Sequence, residues 1–200
     1  MRILILTHPR SGGFSLLAWI AKELNHESFH EPFLNPKHTR NHYNALTFPR
    51  VVVKEDISHL VSVGLDVKDF VRSFDRVIFH LREDHRAAAI SLVRQLEVGE
   101  SHVVYPMNAI WIAARETEIS KRTKDLMGIH SAILYQAVTS PTPSIQTTYE
   151  GIYGSGDDVT KICQFLDISD PQWLDMIHPA RRLQNGTPMP PPVQKEKLLR

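Results

Sequence analysis

Residues 7 to 20, THPRSGGFSLLAWI, hold the residue types most able to do chemistry. The apolar run MRILIL precedes them and an amphipathic pattern follows. Adjacent Gly12 and Gly13 let the backbone approach a ligand closely. Arg10 carries a fixed positive charge on a planar fork of donors. Ser11 and Ser15 offer hydroxyls. A strand, a glycine turn and a helix start form an anion site, because the first helical amides lack internal partners and the helix dipole favours negative charge. The alternative for the same residues is a plain strand-to-helix turn with Arg10 in solvent. The nucleoside-triphosphate pattern GxxxxGK[ST] is absent. HxH spacing is missing too, and HESFH (26–30) spells HExxH only past the end of the helix predicted below over 14–25, whereas that zinc pattern needs both histidines on one helix face, so no metal is expected. The single cysteine, Cys163, excludes an intrachain disulfide and a Cys-rich zinc site, and its apolar surroundings suit a buried role.

The elements that must position this turn follow from hydrophobic spacing. Ile3 to Leu6 is a continuous apolar run, as in a strand buried on both faces. Leu16, Leu17, Ile20, Ala21 and Leu24 predict a helix over 14–25. Phe29 to Phe33 is a short segment ending in a proline turn, and 34–48 reads as a loop. Val51 to Val53 and RVIFHL (76–81) are further strands, separated by a helix broken around Gly64. Asp84 caps a helix to about Val98, residues 99–106 form a loop, and 107–127 form a long helix with Trp111 on its apolar side. SIQTTY (144–149) is a strand and GIYGSGD a turn. Asp157 or Asp158 caps a helix ending near Leu166, and 170–178 predict a last short helix. Strands alternating with helices imply an α/β, three-layer, P-loop-like fold with a mostly parallel central sheet of about four to five strands. Two hundred residues suit one domain, assigned to 1–185, with a mobile proline- and charge-rich tail over 186–200. A net charge of +1 argues against a general nucleic-acid binder. No stretch has membrane-spanning length and the N-terminus lacks signal-peptide character, so a cytoplasmic chain, complete from residue 1, is expected.

Four segments carry a family resemblance. Pro9-Arg10-Ser11-Gly12-Gly13-Phe14-Ser15-Leu16 resembles the 5′-phosphosulfate loop, P-[KR]-S-G-[ST]-[ST]-[WL]-L, of sulfotransferases that use 3′-phosphoadenosine-5′-phosphosulfate (PAPS). FHEPF (29–33) resembles the HEPF element of carbohydrate sulfotransferases. RVIFHLREDHRAAAISLVRQ (76–95) resembles the 3′-phosphate element, a strand ending in Arg and a helix carrying Ser. TTYEGIYGSGDDVTKICQFLDIS (147–169) resembles the segment near the C-terminal end of the same fold. The chain looks most like the bacterial carbohydrate (trehalose-type) branch. Two departures stand out: Gly13 and Phe14 replace the family's hydroxyl residues, and Glu83 stands where that branch often has a second arginine.

The resemblance implies PAPS as the sulfuryl donor and PAP as the product. Arg10, Ser11, Gly12, Gly13, Phe14 and Ser15 would cradle the 5′-phosphate, with Arg10 also easing the leaving group. Arg82 and Ser91 would hold the 3′-phosphate, Tyr149 would meet the adenine, and Arg181 and Arg182 would clamp the 3′-phosphate. Glu31 is the expected general base on a carbohydrate-like hydroxyl, with His30 the runner-up; Lys54 is placed to touch sulfate or acceptor. Tyr43, Tyr105 and Trp111 are acceptor-side candidates, although a tryptophan on a helical stripe is more often core. A homodimer is possible in such relatives. Two other readings remain: a P-loop kinase of a small molecule, and a degenerate protein of this fold that binds PAP or a sugar without catalysis.

Overall fold

The computed structural model describes residues 1–34, 47–98 and 109–169. The expected short helix at 170–178, the tail, Arg181, Arg182, Tyr43 and Tyr105 lie outside them. Five strands form one parallel sheet: β1 (Arg2–Thr7), β2 (Glu27–His30), β3 (Val51–Asp56), β4 (Arg76–Leu81) and β5 (Ser144–Thr148), in the order β2-β3-β1-β4-β5. Helices α1 (Gly13–Leu24), α2 (Ile57–Ser62), α3 (Val67–Arg72), α4 (His85–Val98), α5 (Ala109–Ala113), α6 (Glu116–Thr139) and α7 (Asp157–Leu166) connect and follow them. A π-helical turn at Gly151–Ser155 sits between β5 and α7.

The central strands read as unbroken apolar runs because both their faces are covered. Ile3, Ile5, Val52 and Ile78 pack under α1 and α7, with Leu16, Trp19, Ile20 and Ile162. Leu4, Leu6, Val51, Val53, Val77 and Phe79 pack on the opposite face with Leu60, Phe70, Val71 and Ile133 of α2, α3 and α6. A satellite core joins α4 to α6 through Ala88, Ala89, Val93, Ile119 and Leu126. The result is helix, sheet, helix, as expected.

Capping residues set where the helices start. Asp56 accepts from Ser58 N at 3.0 Å to open α2, and Asp66 accepts from Asp69 N at 2.9 Å to open α3. Asp84 accepts from Ala87 N at 2.8 Å, as expected for α4. The start of α7 differs from expectation. Its cap is Gly156 at φ 85°, and neither aspartate caps it. Asp158 turns back to accept from Thr148 N at 2.7 Å, tying α7 to the end of β5. The helix expected over 107–127 is also corrected: it breaks after Ala113, resumes at Glu116 and runs to Thr139. Cys163 is half-buried beside the α1 core.

Register places a buried polar row across the carboxyl edge of the sheet. Thr7 pairs with Asp56 on one side and with His80 on the other, and His80 pairs with Thr147. All four are buried. The chain leaves β1 directly above this row.

Candidate functional site: a two-arginine anion site

The turn after β1 alternates its backbone hand. Arg10 has φ 64° and Gly12 φ 83°. Such alternation curls successive amides into one concavity, a nest for an anion. Glycine is required at position 12 on two counts. Its φ is positive, and a Cβ there would stand 2.8 Å from Tyr153 Cε2 and 2.9 Å from Tyr149 Cδ2. A Cβ at Gly13 would meet Thr7 Cγ2 at 2.9 Å and Lys54 Cε at 3.2 Å. Among the described residues, no group accepts from the amides of Ser11, Gly12 or Gly13. Ser11 is 2% exposed, and its Oγ is buried without a partner among the described residues. An orphaned buried hydroxyl costs free energy unless a ligand satisfies it.

Two arginines converge beside the nest. Arg10 Nε donates to Ser91 Oγ at 2.8 Å and its Nη1 donates to Gln95 Oε1 at 3.2 Å, so the loop reaches α4. Arg82, just past β4, donates from Nη1 to the Arg10 carbonyl at 3.3 Å. Its guanidinium lies 4.4 Å from the centroid of the Tyr149 ring, and Glu150 stands 4.0 Å from its Nε. Burial and the neighbouring Arg82 charge lower the pKa of Arg10, though an arginine stays protonated. Two cations held together on largely neutral hydrogen-bond partners favour a polyanion. Tyr149 also stacks with Tyr153, at 4.5 Å between centroids.

On the other side of the loop lies an acid–base group. Lys54 is buried within β3 and ion-pairs with Glu31. His30 Nε2 stands 3.7 Å from the same carboxylate. Burial would raise the pKa of Glu31, but Lys54 and His30 outweigh it and hold the carboxyl below its usual range. Glu31 is therefore ionised at neutral pH and able to accept a proton. Its φ of 47° is strained for a residue with a side chain, and strain of this kind clusters at functional sites. Phe14, half-exposed, meets His30 edge-on at 4.9 Å.

The structure brings Arg10, Ser91, Arg82 and Tyr149 together, and separately groups Glu31, His30, Lys54 and Phe14. Lys54 links the sets by running under Gly13. Ser15 is exposed and meets the Tyr153 hydroxyl. Trp111 is flanked by Arg94 and Arg115 and bonded to Glu97. Sequence reasoning missed His80 and Tyr153. His80 Nε2 donates to the Ser11 carbonyl at 2.7 Å and its Nδ1 accepts from Thr147 at 3.0 Å; burial pushes its pKa down to about 4. The only sequence signal was a histidine inside an apolar strand.

No family model and no curated protein sequence matches the chain. Solved structures do. A deoxyadenosine kinase from M. mycoides, solved with bound dATP, matches with a TM-score of 0.50 at 16% identity, over 84% of this chain and 100% of the kinase. Mouse sulfotransferase SULT7A1, solved with PAP, matches with a TM-score of 0.51 at 14% identity, over 84% of this chain. This chain spans 58% of that sulfotransferase. The fold is thus the α/β architecture shared by P-loop kinases and sulfotransferases. Among the described residues, no helix is long and apolar enough to cross a membrane.

Proposed function

We propose that the protein is a PAPS-dependent sulfotransferase acting on a hydroxyl of a carbohydrate-like acceptor, of the trehalose type. The observation that carries this reading is the meeting of Arg10 with Ser91 at 2.8 Å and of Arg82 with the Arg10 carbonyl at 3.3 Å. These residues come from the two segments that resemble the 5′- and 3′-phosphate elements. The donor set fits a nucleotide with two anionic ends: a nest of open amides, an orphaned Ser11 hydroxyl, and two guanidiniums with an aromatic face beside one of them. When bound, PAPS would supply the sulfuryl group. Arg10 and the amides of Ser11 to Gly13 would bind the 5′-phosphate end, with charge stabilisation as the leaving oxygen gains electrons. Arg82 and Ser91 would hold the 3′-phosphate, and Tyr149 would face the base. Arg181 and Arg182 remain assigned to that phosphate as part of the proposal. Glu31 would take the acceptor hydroxyl's proton as its oxygen attacks sulfur, with His30 beside it. Lys54 holds Glu31 ionised and orients it under the loop.

One observation favours a second reading, a kinase of a small molecule: the nucleoside kinase aligns over its whole chain. The missing lysine weighs against it, since Phe14 and Ser15 follow the glycines. The deciding experiment is transfer of labelled sulfate from PAPS to a panel of sugars, run beside transfer from ATP with Mg²⁺. The expected result is sulfated product from wild type, none from ATP, and a loss of about 100-fold or more in Glu31→Gln. Phosphorylated product would carry the kinase reading instead. PAP binding without any transfer by wild type would leave the non-catalytic reading.

A further inference from the structure

We propose that His80 and Tyr153 are positioning residues for the anion loop: they pin successive loop carbonyls inward and so aim the loop's amides outward at the ligand. This deepens the anion-site reading above and rests on it.

Four consecutive carbonyls of the turn are each held by a side-chain donor. His8 Nδ1 holds Pro9 O at 2.9 Å, and Arg82 Nη1 holds Arg10 O at 3.3 Å. His80 Nε2 holds Ser11 O at 2.7 Å, and Tyr153 Oη holds Gly12 O at 2.8 Å. A trans peptide is planar, with its N–H opposed to its C=O. Fixing the carbonyls of Arg10, Ser11 and Gly12 therefore fixes the direction of the next amides, those of Ser11, Gly12 and Gly13. These are the amides without an acceptor among the described residues. The two glycines would otherwise let these peptides rotate at little cost. An amide that must reorient on binding loses affinity, whereas one already aimed does not.

His80 has a defined tautomer. A carbonyl only accepts, so Nε2 carries the hydrogen and Nδ1 accepts from the Thr147 hydroxyl. The chain Thr147 to His80 to Ser11 carries the rigidity of β4 and β5 into the loop. Tyr153 does the same from the π-helical turn, and its ring also closes over Gly12.

The test is nuclear magnetic resonance of the full chain, following the amides of Ser11, Gly12 and Gly13 during titration with inorganic phosphate and, separately, with PAP. In wild type, phosphate is expected to shift these three amides. Tyr153→Phe keeps the ring and removes one donor; it is expected to remain folded and to weaken phosphate binding about tenfold. His80→Gln retains a donor and is expected to rescue binding, whereas His80→Leu is expected to lose it. Unchanged phosphate affinity in folded Tyr153→Phe overturns the proposal, as does a wild type whose three amides ignore phosphate. Phosphate shifts without PAP binding would support the positioning role and remove the nucleotide reading alone.

Discussion

At the scale of single residues, the site depends on charges whose pairing decides their chemistry. Glu31 stays ionised because Lys54 and His30 outweigh its burial. Replacing Lys54 by Met removes the larger of those two attractions while Glu31 stays buried, so the pKa of its carboxyl must rise. The expected outcome for Lys54→Met is an acid limb of kcat/KM moved to higher pH, read from a pH–rate profile of sulfate transfer. An unmoved limb would remove Glu31 as the base. Gly12→Ala belongs to the same scale. It forces a Cβ against two tyrosine rings at a positive φ, and a loss of about 2 kcal/mol or more is expected in denaturant unfolding. Arg10 stood out in the sequence because it sits beside glycines and Arg82 because it follows a strand, whereas Ser91, inside α4, was marked only by the resemblance of its segment. His80 and Tyr153 did not stand out. Their partners lie 69 and 141 positions away, and they act through backbone carbonyls, which have no residue-type signature.

At the scale of elements, apolar spacing carried the reading where a helix or strand had a buried face. The central strands and α1 were plain for that reason. Spacing failed past residue 127, although Ile119, Leu126 and Ile133 recur every seven residues and pack toward the sheet and α4. The intervening positions are mostly exposed, and Gly128, which usually punctuates a helix, sits in open space and interrupts nothing. The start of α7 misled for a related cause: an aspartate in a first turn is a helix signal, but Asp158 is committed to Thr148. Capping energetics give a test at this scale. Asp56 opens α2 and accepts from both Ser58 N and Ser58 Oγ. Asp56→Ala is expected to cost about 1–2 kcal/mol in chemical denaturation, whereas Asp69→Ala, at an exposed side chain of α3, should change stability by less than about 0.5 kcal/mol.

At the scale of the whole molecule, alternating elements gave away the layers and the parallel sheet, while strand order was not legible, since spacing within a segment says nothing about its neighbours. That order matters, because it sets β3 and β4 on either side of β1 and so brings Lys54 and Arg82 to one loop. The buried polar row beneath the loop has a consequence for stability against pH. His80 has a folded pKa of about 4, below its ordinary 6.5. A depressed histidine contributes stability that is full above pH 6.5 and is lost as pH falls toward 4, by up to about 3 kcal/mol. Unfolding free energy measured across that window should fall with acid in wild type and fall less in His80→Gln. Parallel curves would place the acid sensitivity elsewhere.

In the proposed function, one nucleotide is gripped at two phosphates, by the Arg10 loop and by Arg82 with Ser91. Calorimetry comparing PAP with adenosine 5′-monophosphate, which lacks the 3′-phosphate, tests it most directly. Wild type is expected to bind PAP at least about 30-fold more tightly, and Arg82→Ala is expected largely to close the gap. Equal affinity for the two nucleotides, or no heat from millimolar PAP, would contradict it.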